Sequence, residues 1–230
     1  MKKSLLVILV LALFSSIQAN ALQDLNFKGF IADEANILSE NNKYDLNMTL
    51  WDLQKKSGAD IAVVVLPSLE GRRVEDVALE IGRKYKVGSK EKNNGIVFLT
   101  AINDRKMRIE LGYGFEKIIA ISDLDRIRDN DILPYYRQND YENGITRGTY
   151  LLADLAAQAE GVVVTRTGNC PDKALSYNTS RTSSRSHTPW WVWPIAIVMS
   201  IFSPRRRNSF GSCGFGGGGG FGGCGSSGSW

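Results

Sequence analysis

The chain has 230 residues, 43% of them hydrophobic and 23% charged, with a formal net charge of +4. That length holds one globular domain of ordinary size with residues left over for tails, and it argues against two domains. The positive balance does not point to nucleic acid: Lys2, Lys3 and the Arg205, Arg206, Arg207 cluster alone supply five positive charges outside the predicted domain, which carries no basic patch of its own.

Residues 1–21 read as an export signal. Lys2 and Lys3 precede the apolar run from Leu5 to Phe14, and a small-residue A-x-A site follows at Ala19, Asn20 and Ala21, so cleavage is expected after Ala21. An uncleaved membrane anchor is the alternative, and under either reading the following domain is exported.

Residues 26–161 alternate apolar and charged positions as a folded domain does. Ser39, followed by Glu40, Asn41 and Asn42, is placed to cap a helix whose apolar face is Leu46, Leu50 and Leu53, ending near Gly58. The continuous β-branched run DIAVVVL, 60–66, has the pattern of a strand covered on both faces, and Pro67 closes it. Val74, Val77, Ala78 and Ile81 put an apolar stripe on a second helix that ends around Tyr85. Asn93, Asn94 and Gly95 then turn the chain into the strand IVFLTAI, 96–102. Asn103 and Asp104 connect it tightly to KMRIEL, 106–111, where Met107, Ile109 and Leu111 alternate with Lys106, Arg108 and Glu110. That alternation predicts a half-exposed strand paired as a hairpin with its predecessor. Asp140 is placed as the N-cap of a last helix, Tyr141 to about Glu160. Helix, strand, helix, strand, strand and helices give a single α/β domain layered as a sandwich.

Composition changes after the domain. Residues 162–189 form a linker, since SYNTSRTSSRSHTP, 176–189, has almost nothing to bury. WWVWPIAIVMSIF, 190–202, followed by SPRRR, has the order of an aromatic belt, an apolar stretch and a basic stop, which marks residues 190–203 as a membrane segment. Thirteen helical residues rise about 20 Å against a hydrocarbon core of roughly 30 Å, and Pro194 interrupts them. A single span is the first expectation, a segment lying in the interface the second and a buried core helix the third. A span puts the arginines in the cytoplasm, so the protein is expected in the cytoplasmic (inner) membrane with its α/β domain facing the periplasm or cell exterior. Residues 204–230 are first basic and then mostly Gly and Ser, which predicts a disordered tail with Phe215, Phe221 and Trp230 as its sticky points. Cys170, Cys213 and Cys224 have neither framework nor metal-ligand spacing; a Cys213–Cys224 disulfide remains open, with unpaired tail thiols favoured.

The segments IADEANIL (31–38), DIAVVVLPSLEG (60–71), KYKVGSKEKNNGIVFLTAINDRKMRIELGYGFE (84–116) and ILPYYRQNDYENGITRG (132–148), in this order, resemble the TPM-domain family. The likeness covers about residues 26–161, and the arrangement of signal peptide, domain, hydrophobic segment and Gly-rich tail ending in Trp is similar to that of its anchored bacterial members. The resemblance implies a Rossmann-like three-layer α/β/α sandwich, with some relatives hydrolysing phosphate esters, some binding calcium and many without a settled activity. Fold likeness therefore does not decide function.

Gly112 and Gly114 in RIELGYGFEK can take backbone angles closed to other residues, letting a strand turn sharply beside Glu116 where a ligand could approach. The pair lacks the third glycine of a dinucleotide fingerprint, so no nucleotide cofactor is expected. Asp33, Glu116, Asp123 and Asp125 are candidate hard-oxygen ligands for Ca2+ or Mg2+. The resemblance puts Asp33 and Glu116 first, although Ile121 stands where the family commonly has an acid. Each carboxylate has a structural alternative as a cap or turn group. Arg126 and Arg137 either pair with these acids in water or meet an anionic substrate. The sole histidine, His187, lies in the linker, and the domain has no cysteine, so no Ser-His-Asp or Cys-His set can be assembled there. The leading expectation is a membrane-anchored extracytoplasmic accessory or interaction protein that binds a divalent metal and meets a membrane-protein partner. The alternative is a metal-assisted phosphate-ester hydrolase.

Overall fold

The computed structural model describes residues 24–168, 170 and 220–230; the predicted signal peptide and the hydrophobic segment 190–203 lie outside them. In chain order the elements are β1 (Ile31–Asp33), α1 (Glu40–Ser57), β2 (Asp60–Leu66), α2 (Val74–Lys84), β3 (Gly95–Ala101), β4 (Lys106–Gly112), α3 (Tyr113–Glu116), α4 (Ile121–Arg126), a π-helical stretch (Ile127–Ile132), α5 (Leu133–Arg137), α6 (Tyr141–Glu160) and β5 (Phe221–Ser229). Local chemistry sets the boundaries of the long helices. Ser39 accepts a bond from the Asn42 amide and Gly58, in the left-handed conformation, closes α1, while Asp140 caps α6 through the Asn143 amide and Gly161 ends it.

The five strands form one sheet in the order β1-β2-β3-β4-β5. β1, β2 and β3 are parallel; β4 is antiparallel to β3, and β5 antiparallel to β4. Alternation along the strands separates two cores. Val63, Val65, Phe98 and Ile109 point to the face covered by Leu46 and Leu50 of α1 and Leu152 and Ala156 of α6. Val64, Val97 and Leu99 point to the opposite face, under Val77 and Ile81 of α2. This is the expected three-layer α/β/α sandwich.

Three expectations need correction. β4 is not half exposed: Met107 through Gly112 are all buried. The Gly-rich tail is not disordered over its last residues, because Phe221–Ser229 form β5 and cover the β4 edge. A chain of Gly and Ser cannot repay its ordering by burying side chains, but here its backbone pairs with β4 and its end residues Phe221 and Trp230 find packing partners. Cys224 is disulfide-bonded and Cys170 free, so the favoured reading of unpaired tail thiols fails for Cys224. Among the described residues no helix is long and apolar enough to cross a membrane.

Candidate functional site

Asp33 closes β1, and the chain turns back over its carboxylate. The Ile37 and Leu38 amides donate to it at 3.1 and 2.9 Å, and Lys43 Nζ lies 3.2 Å away, with the aspartate side chain 2% exposed. These bonds tie the turn to the first helical turns of α1. Nearby, at the carboxyl ends of β1 and β2, a cleft of about 350 Å3 is lined by Asp24, Glu34, Ser68, Glu70 and Arg72. Open α/β sheets bind ligands in this position. Its groups are partly engaged: Glu34 accepts from the Asn26 amide, and Arg72 is ion-paired with Glu80 of α2.

The second polar region lies at the other side of the sheet, where β5 meets β4. Arg108 and Glu110 point to the α2 side of β4 and form a buried pair, Arg108 Nε and Nη2 donating to Glu110 Oε2 at 2.9 and 2.6 Å. Burial pushes Glu110 up to about 7 against the pull of the Arg108 charge, and its Oε1 atom has no partner. Arg108 also donates to the Gly223 carbonyl at 2.8 Å and to Ser227 Oγ at 3.0 Å; Ser227 Oγ in turn donates to Glu75 of α2. On the opposite face Arg128, from the π-helical stretch, donates to Asp125, to Ser226 Oγ and to the Ser227 carbonyl. Glu116 is held up by burial and accepts from the Gly222 and Cys224 amides. The tail strand thus lies across a set of charged side chains from both layers.

The predicted ligands do not converge. Asp33 is in register with Val65, Thr100 and Met107, whereas Glu116 follows Gly112. Five residues of β4 and three strand spacings separate the two registers, about 17 Å along the strands and about 14 Å across them. Asp123 pairs with Arg126 on α4 at 3.5 Å, Asp125 serves Arg128 and Ser226, and Arg137 is exposed on α5. Among the described residues no three His, Cys, Asp or Glu side chains are placed to hold a metal ion together. The described residues therefore do not fit the Ca2+ that the resemblance implies, or the Mg2+ that hard-oxygen ligands also suit.

Gly112 and Gly114 also act differently from the expectation. Gly112 has φ −74° and ψ 156°, and neither glycine is left-handed. Close approach is the reason for both: a Cβ at Gly112 would stand 2.3 Å from the Asn93 carbonyl oxygen, and one at Gly114 2.1 Å from that of Lys92. The loop before β3 fills the space where a ligand was expected. Arg108, Glu110, Arg128, Ser226 and Ser227 were missed as a group. The alternating charges of KMRIEL reported a polar face and could not report that a distant strand would cover it.

A mixed sheet between helical layers, its carboxylates turned to its own backbone and cations, defines a small α/β-sandwich domain. The chain belongs to the TPM-domain family, which matches residues 31–155. Among solved structures it is similar to the N-terminal domain of a protein from P. gingivalis, at 26% identity and TM-score 0.53, over 61% of this chain and 87% of that one. It is also similar to the BA42 protein of the psychrophilic bacterium Bizionia argentinensis, at 20% identity and TM-score 0.47, over 56% of this chain and 87% of that one. No curated protein matches the chain.

Proposed function

We infer that this TPM-domain protein is an exported, membrane-associated accessory protein that acts by binding a partner rather than by turning over a substrate. One observation carries the reading: the two foremost candidate carboxylates are engaged by the protein itself. Asp33 holds two amides and Lys43, and Glu116 holds two amides of the tail strand. Carboxylates used in this way stabilise turns and strands, and Asp33 and Glu116 stand too far apart to activate one water together. The Trp-rich apolar segment 190–203 supplies the membrane contact and the signal peptide the export, with the domain facing the periplasm or cell exterior. The ladder shared by β4 and β5 supports a reading in which the domain and the C-terminus lie on the same side of the bilayer. This favours residues 190–203 lying in the interface over crossing it once.

The test is phosphate-ester hydrolysis by the purified full chain in Ca2+, in Mg2+ and in chelator, beside Asp33→Asn. The expected result is no turnover in any condition and the same thermal midpoint with and without chelator. Metal-dependent turnover lost in Asp33→Asn would make the domain a hydrolase and overturn the accessory reading.

A further inference from the structure

β5 is poorly equipped to be a strand. FGGCGSSGS holds four glycines and three serines, residue types depleted in sheets or indifferent to them. The surface that receives it is, by contrast, closely shaped. At one end, Phe221 is 1% exposed and its ring rests on Gly82 of α2 and Gly95 of β3, where a Cβ at either position would stand 2.9 Å from the ring. Glycine inside a helix costs about 1 kcal/mol relative to alanine, and at Gly82 the aromatic ring occupies the space so released. At the other end Trp230 packs at a tilt against Tyr136 and Tyr141, with ring centroids 4.5 and 5.9 Å apart. Between them Arg108 and Arg128 reach carbonyls and hydroxyls of β5, and Arg83 Nη2 donates to the Phe221 carbonyl.

The glycines of the strand are matched to this surface. A Cβ at Gly225 would stand 2.0 Å from the Ile109 carbonyl oxygen, and one at Gly222 2.5 Å from the Tyr113 ring. A side chain at Gly225 would prevent pairing there, and one at Gly222 would have to displace the Tyr113 ring. What selects the strand is thus absence of bulk in the middle and aromatic rings at both ends. Arg108 is held by Glu110 as well as by β5, and charged groups on an edge oppose unwanted strand pairing.

We propose that the β4 edge is a binding site for Gly/Ser-rich C-terminal strands bearing a first-position Phe and a terminal Trp, filled in cis by residues 220–230 and in trans by the same segment of a second copy. Recognition is strand addition, with backbone bonds giving affinity and the two aromatic sites giving register. Residues 171–219 join the domain to the tail, and even at the helical rise of about 1.5 Å per residue that connection reaches roughly 70 Å. A neighbouring copy is therefore within reach, and exchange of an identical element is a low-cost route to a dimer. The site is independent of whether the domain binds an ion or hydrolyses an ester.

The experiment uses the full chain carrying Gly225→Val, which removes its own strand and leaves the acceptor intact. A fluorescent peptide of residues 220–230, with Cys224→Ser to prevent thiol exchange, is titrated against it. Saturable binding is expected, reduced at least about tenfold when Gly82→Leu fills the Phe221 site from α2 itself, and absent for a peptide carrying Gly225→Val. Near-ultraviolet circular dichroism confirms the fold of each variant, and Phe221→Ala replaces Gly225→Val should the latter not fold. No saturable binding to the folded chain, or binding indifferent to Gly82→Leu, overturns the site. Sizing of the wild-type chain should show dimers that increase with concentration and disappear in Gly225→Val. A monomer at every concentration overturns the second copy as occupant.

Discussion

β2 and β5 lie in one sheet and reach it by opposite routes. DIAVVVL is a strand through its own side chains: six of its seven residues are buried and the branched carbons fill both cores. FGGCGSSGS is a strand through its acceptor, which offers β4's unpaired edge, a ring site over Gly82 and Gly95, and two arginines to hold its carbonyls. In β2 glycine would leave cavities, while at Gly222 and Gly225 of β5 a Cβ would meet the Tyr113 ring and the Ile109 carbonyl oxygen. A strand is thus specified either by what it carries or by what it fits.

Substitutions can separate these two routes. Phe98→Ala, in the fully paired β3 beside β2, should cost about 3–5 kcal/mol in denaturant unfolding, and the whole domain should lose amide protection together. Arg108→Met removes the partner of a fully buried carboxylate and should cost about 3 kcal/mol, most of it recovered when Glu110→Gln is added. A double mutant that is additive would show that the pair is not coupled. Phe221→Ala should raise exchange of the β5 amides by an opening free energy of about 2 kcal/mol and leave β2 protection unchanged. Loss of protection in both strands at once would make β5 an integral part of the core and erase the contrast.

The domain should also show a pH dependence of stability. Glu110 is raised from an ordinary 4.5 to about 7 by burial, so between these values the folded chain holds a proton that the unfolded chain has released. Stability from this group is fully present below pH 4.5, falls as pH rises through that window by at most about 1.4 kcal/mol per unit, and levels off above 7. Thermal midpoints of the wild type should fall across the window, with a shallower slope in Glu110→Gln. Equal slopes would locate the effect elsewhere, Glu116 being the next group raised by burial.

Legibility in the sequence followed the range of the interactions. Ser39 and Asp140 announce their helices because a cap is a matter of three residues, and each does cap the helix expected. β1, three residues long, is too short to show a period, and the helices between Tyr113 and Arg137 are short pieces without a sustained stripe. At the candidate site, Asp33 and Glu116 carry the right chemistry for an ion, but only strand register shows that they stand at opposite ends of the sheet. Gly112 and Gly114 announce an unusual backbone, whereas what approaches them is the loop of Lys92 and Asn93.

The amino-acid sequence by itself determined the long helices, the two central strands, the β3–β4 hairpin and the sandwich class, because periodicity, caps and turn residues act over a few positions. Tertiary structure alone decided that Arg108 and Glu110 are a buried pair and that the glycine-rich C-terminus is a strand. Those outcomes depend on contacts such as Arg108 with Ser227, 119 residues apart. The reason is physical: a segment with few side chains to bury carries no pattern of its own, and its conformation is set by the edge that it completes.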